Sequence, residues 1–123
     1  MWEEKLGQAS VAKLTHLLET GAIERSQVKE LSYEHNMNVN PVYNDSHDKE
    51  ENIVLTMERM LDRWYEMKVY SLSPSEARDK LLEILSESHC SPFVVDEMRK
   101  ACKTGGEGQS SGDKTGSGSN IEE

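Results

Sequence analysis

The chain has 123 residues, 35% of them hydrophobic and 30% charged, and a formal net charge of −9. That length suits one domain and leaves little room for two. The acidic balance argues against non-specific binding to nucleic acid or to anionic membranes. No apolar run reaches the length of a membrane span, and "MWEEKLGQAS" lacks the basic-then-apolar order of a signal peptide.

Residues 1–9 are read as an N-terminal extension or as the start of the first helix. Val11, Leu14, Leu17 and Leu18 then recur at three and four residues, the spacing of one buried helix face. Gly21 follows where a helix C-terminal cap needs left-handed backbone. A second helix is expected over "RSQVKELSYEH", with Val28, Leu31 and His35 on one face. The Asn- and Asp-rich "NMNVNPVYNDSHDKEEN" reads as a long, loosely structured connection with one short helical turn around Val42 and Tyr43.

The strongest helix is "ENIVLTMERMLDRWYEM". Ile53, Met57, Met60, Leu61, Trp64 and Met67 form one apolar stripe, with Glu58, Arg59, Asp62, Arg63 and Glu66 off it. Trp64 is therefore read as core rather than contact. In "LSPSEARDKLLEIL", Ser73 is a natural N-cap, Pro74 suits the first helical position, and Glu76 completes a capping box. Ala77, Leu81, Ile84 and Leu85 form the inner face. Ser91 and Pro92 repeat the signal in "CSPFVVDEMRKAC", with Phe93 or Val94, Met98 and Ala101 facing inward.

From Thr104 onward the chain holds six of its eight glycines and a single aliphatic, Ile121. Such a segment buries too little apolar area to offset its ordering entropy and is expected to be disordered. It carries four carboxylates against Lys114, a net of −3, leaving −6 for the residues before it. No alternating strand pattern occurs. The expectation is an all-α bundle of five or six short antiparallel helices over residues 10–103. Its core would contain Leu14, Leu18, Leu31, Met57, Leu61, Trp64, Leu81, Leu85 and Met98.

Little in the sequence points to chemistry. His16, His35, His47 and His89 stand at no metal-site spacing relative to carboxylates or cysteines. His89 and Cys90 are adjacent, but neighbours rarely hold nucleophile–base geometry and no third orienting group is evident. "NDSHDKEEN" lacks the central glycine and ligand spacing of an EF-hand loop. His35 is read as a partly buried, hydrogen-bonded histidine rather than a pH sensor. Met57, Met60 and Met98 are read as core filler rather than a binding groove. Cys90 and Cys102 fit no zinc or redox spacing and are read as reduced thiols of a cytoplasmic protein. No catalytic site, metal or cofactor is expected.

The order of elements resembles the death domain, a six-helix antiparallel bundle of the death-fold superfamily, over residues 10–102. The motif that carries the resemblance is Met60 and Leu61 followed by Trp64. After it comes a fifth-helix pattern of Ala77, Leu81, Leu82 and Leu85. Val28 and His35–Asn36 stand where death domains often have a tryptophan and a leucine–glycine pair. That departure leaves the caspase-recruitment and death-effector domains as sister alternatives.

The resemblance implies a non-enzymatic signalling module that binds other death-fold domains through asymmetric pairs of patches, in apoptotic or innate immune signalling. One pair would set Lys29, Glu30 and Glu34 against Lys13, His16, Glu58 and Arg59. A second would set Arg63, Glu66, Lys68 and Tyr70 against Ser91, Phe93, Asp96 and Arg99. A third falls around Tyr43 to Asp48. Such contacts are heterologous, small and salt-sensitive, and gain avidity together. A body charge of −6 implies a monomer alone, a partner with a basic patch, and higher-order assembly with that partner. Two other readings are a regulatory fragment of a larger effector (kinase, caspase or receptor) and an unrelated helical bundle.

Overall fold

The computed structural model describes residues 2–106, and they form seven helices and no strand. α1 (Trp2–Leu6) and α2 (Gln8–Glu19) are separated by Gly7, whose φ of 89° lies in the region that favours glycine. Gly7 N–H closes α1 on Glu3 O, and Val11 N–H opens α2 on Gly7 O, so the two helices meet at that residue. Seven helices exceed the five or six expected, and the additional one is α1.

The break lets α1 lie against distant parts of the chain. Trp2 is buried and its indole Nε1 donates to Asp62 Oδ1 at 2.7 Å. Lys5 Nζ donates to the Leu72 carbonyl, and Arg78 Nη1 donates to the Lys5 carbonyl at 3.2 Å. Residues 2–9 thus hold a helix and the start of α2, with Trp2 and Leu6 in the core.

α2 runs antiparallel to α7 (Pro92–Gly106): Ser10 meets Cys102 near one end and Lys13 meets Glu97 further along. Gly21 closes α2 with φ 83°, and Ile23 N–H returns to Leu17 O, turning Ile23 into the core. α3 (Arg25–Ser32) is shorter than expected. Tyr33 is already extended, and His35 is exposed in the following turn instead of facing inward. The helix stops there because the chain folds back: Met37 N–H bonds Leu31 O and Val39 N–H bonds Ser32 O.

The segment expected to be loose is a nine-residue helix, α4 (Asn40–Asp48). Met37, Val39 and Tyr43 belong to the core and Ser46 is buried. The asparagines tie rather than loosen: Asn40 Nδ2 donates to Ser32 Oγ, and Asn36 Nδ2 to Glu30 O and Ser88 Oγ.

α5 (Ile53–Met67) opens on Asn52, whose side chain accepts from Leu55 N–H at 2.9 Å. Met57, Met60, Leu61 and Trp64 are each at most 2% exposed, whereas Met67, in the last turn, is 41% exposed and lies outside the core. A 3-10 turn (Val69–Ser71) leads to α6 (Pro74–Glu87), whose capping box forms as expected, with Glu76 N–H on Ser73 Oγ and Ser73 N–H on Glu76 Oε1. In α7 the inward residue is Val94, while Phe93 is 61% exposed. All nine expected core residues are buried. α7 runs through Gly106, three residues into the stretch expected to be disordered; the rest of that stretch lies outside the described residues. Among the described residues, no helix is long and apolar enough to cross a membrane.

Replacing Trp64 with alanine removes the largest fully buried side chain. Chemical denaturation should show a loss of about 3–5 kcal/mol. His89, just past α6, holds φ 65° with its side chain in solvent. His89→Gly should raise stability by about 0.5–1 kcal/mol, because glycine reaches that backbone without a Cβ clash. His89→Val should lower it by about 1–2 kcal/mol.

Candidate functional site

The surface residues singled out by sequence fall into groups with different commitments. Of the first group, two cations are already held within the molecule. Lys13 on α2 pairs with Glu97 on α7 at 3.0 Å, and its Nζ holds the Glu97 carboxyl below the usual range. Arg59 on α5 forks onto Glu51, with Nε to Oε1 at 2.6 Å and Nη2 to Oε2 at 2.7 Å. Glu51 also accepts from Ser46 Oγ at 2.6 Å, and Ser46 shares a buried hydrogen bond with Thr56. The Arg59 guanidinium, then the Ser46 hydroxyl, lower the Glu51 carboxyl below its usual range.

His16 and Glu58 remain outward. Glu58 and Glu19 flank a shallow groove floored by Leu18, Ile53, Val54 and Leu55, between α2 and the start of α5. That face is acidic. On α3, Lys29 is exposed, and Glu30 lies 3.9 Å from His89 Nδ1. Glu34 is exposed beyond the helix end. The Gln27 side chain donates to His89 O, pinning α3 to the turn between α6 and α7.

The second group lies at two ends of the bundle. Arg63 and Glu66 pair at 3.3 Å on the exposed edge of α5, followed by exposed Met67, Lys68 and Tyr70. Tyr70 is 60% exposed. At the other end, Ser91 Oγ caps α7 by accepting from Val94 N–H, Phe93 projects into solvent, and Asp96 pairs with Lys100. α6 separates the two ends; its 14 residues span about 21 Å. Met67, Tyr70 and Phe93 are the large exposed hydrophobics of the described residues, and all three lie at these two ends. Arg99, grouped by the resemblance with the Phe93 end, lines a groove between α6 and α7 with Arg78 and Lys103.

The third region is α4. Tyr43 is buried and stacks on His47 with ring centroids 5.8 Å apart. Pro41, Val42 and Asp45 of α4 face Arg59, Asp62, Arg63 and Glu66 of α5 across an open, mixed-charge cleft. The sequence reading missed Met67 as a surface group, because it continues the apolar stripe of α5. It also missed Trp2 and Arg78, whose partners are dozens of residues away.

The residues that could suggest chemistry are apart. His89 is in solvent while Cys90 is buried, and burial pushes the Cys90 thiol up to about 11. Burial also raises the Cys102 thiol, although Ser10 Oγ lies 3.4 Å from its sulfur. Both cysteines are free. Among the described residues, no group of three or more His, Cys, Asp or Glu side chains could hold a metal ion.

No family model matches the chain, no curated protein matches its sequence, and no solved structure matches its fold.

Glu51 provides a pH test. Its carboxyl is depressed in the folded state, so its contribution is present above the unfolded value of about 4.3 and is lost as pH falls through the lower folded value. The stability gap between the wild type and Glu51→Gln should be constant near neutrality and should close below about pH 4. Thermal melts across that range check it; a gap that persists in acid contradicts the assignment.

Proposed function

We propose that this chain is a cytoplasmic, non-enzymatic interaction module of death-fold type, which binds other death-fold domains and assembles signalling complexes with them. The observation that carries the reading is the position of the exposed Met67, Tyr70 and Phe93. They fall in the two segments that the resemblance pairs as opposite halves of one contact. The halves lie at opposite ends of α6, so each needs a second molecule to meet its complement. Each is a partly apolar spot ringed by charge: Arg63, Glu66 and Lys68 at one end, Asp96 and Lys100 at the other. This suits small heterologous contacts that propagate from copy to copy. The all-helical architecture and the buried Trp64 on α5 are further support.

The acidic surface selects the partner. A net charge of −9 opposes self-association at long range and favours a partner that presents a basic patch. The outward carboxylates Glu19, Glu58 and Glu66 are those such a patch would meet.

Calorimetry against purified death-fold domains with basic patches tests this. Phe93→Arg and Tyr70→Glu should each weaken binding by about tenfold or more with an unchanged Tm, because both side chains lie outside the core. Affinity should fall as salt rises. Wild-type affinity in both variants, or no salt dependence, would count against the proposal, as would a tight homodimer of the chain alone.

A further inference from the structure

The groove between α6 and α7 stands out against the charge balance of the chain. The chain has 23 carboxylates and 14 cations, and six of the cations are committed to an acid within the molecule. Lys13, Lys49, Arg59, Arg63, Lys80 and Lys100 each form an ion pair. Of the other described cations, Lys5, Arg25, Lys29 and Lys68 are spread over the surface, whereas Arg78, Arg99 and Lys103 line this one groove, against a single carboxylate, Asp79. Arg99 and Lys103 are four residues apart on α7, which puts them one above the other on one helix face. Arg78 faces them from α6, and half-buried Leu82, one turn further along α6, supplies an apolar floor.

Arg78 is held in place. Its Nη1 donates to the Lys5 carbonyl, which leaves other donors of its planar guanidinium free of that bond. The groove therefore sets the basic pair Arg99 and Lys103 on α7 against Arg78 and Asp79 on α6, over an aliphatic patch, with Arg78 held before any ligand arrives. That arrangement complements a peptide in which carboxylates flank an aliphatic side chain. A polyanion is a poorer match. Nucleic acid or an anionic bilayer would also meet the repulsive field of a chain carrying −9, whereas a short acidic segment feels mainly the nearby cations.

We propose that the α6–α7 groove docks an extended acidic segment of a partner protein, with an aliphatic side chain on Leu82 and flanking carboxylates on Arg78, Arg99 and Lys103. This groove is separate from the two ends of the bundle that carry Tyr70 and Phe93, and the inference does not rest on the death-fold reading.

The test uses the full chain and a fluorescent peptide, Glu-Glu-Leu-Glu-Glu, followed by anisotropy at low salt. The acidic peptide should bind, and its glutamine counterpart should bind at least about tenfold more weakly. Arg99→Glu with Lys103→Glu should cost a similar factor with Tm unchanged, because both side chains are exposed. Lys49→Glu with Thr20→Glu and Ser26→Glu, the same total charge change on exposed positions away from the groove, should shift Kd by no more than about twofold. Equal loss in the two sets of variants would reduce the effect to net charge and overturn the proposal. So would the absence of peptide binding, or tighter binding of a single-stranded oligonucleotide or of phosphatidylserine vesicles. Replacing Glu107, Asp113, Glu122 and Glu123 with glutamine should leave Kd unchanged. A marked gain in affinity there would assign the groove to the chain's own C-terminal segment and contradict a partner in trans.

Discussion

The burial of one face of α5 is the constraint from which the rest of the structure follows. Met57, Met60, Leu61 and Trp64 are withdrawn from water together. α1, α2, α3, α4 and the 3-10 turn all pack against that helix. Once this face is fixed inward, the opposite edge can only point outward. Arg59, Asp62, Arg63 and Glu66 are on the surface for that reason, not by separate design. Even the outer edge contributes to folding, since Asp62 receives the Trp2 indole and Arg59 closes on Glu51. The helix that supplies the centre of the core thus also presents one of the charged surfaces.

Polar groups settle how the other helices sit on that centre. A hydrophobic face tolerates sliding, but a buried hydroxyl without a partner does not. Ser46 and Thr56 join α4 to α5, and Ser10 meets Cys102 between α2 and α7. Asn36 links the turn after α3 to Ser88 at the end of α6. Each contact holds a helix pair in one register. Rigid placement matters for the surface too, because groups on a fixed frame lose less entropy when a partner binds.

How much of this was legible in the sequence depended on whether a signal was local. Apolar stripes in α2, α5 and α6 and the Ser-Pro caps of α6 and α7 can be read within a dozen residues, and those elements formed where expected. α4 was missed because the helix itself buries only Tyr43 and Ser46, the buried Met37 and Val39 precede it, and the asparagines of the segment look like loop formers. Asn40 bonds Ser32 of α3, and Asn36, before the helix, bonds Ser88 at the end of α6, which no local pattern reveals. α1 is only five residues long, too short for periodicity, and its partners Asp62, Leu72 and Arg78 lie at least 60 positions away. Among the candidate site residues, exposure was legible for Arg63, Glu66 and Lys68. The internal engagement of Lys13 and Arg59 was not, because it depends on tertiary proximity to Glu97 and Glu51. Met67 shows the limit of a periodic pattern: the stripe continues through it, but the elements packed on α5 do not.

If α5 is the element on which the others depend, its amides should be the last to exchange. Native-state hydrogen exchange measures this residue by residue. The amides from Met57 to Trp64 should exchange only through global unfolding, with a free energy equal to that from denaturant melts. α1 and the last turns of α7 should open earlier and at lower free energy. Exchange of the α5 amides at a lower free energy than those of α2 and α7 would contradict the account, because the core would then be organised around another pair of helices.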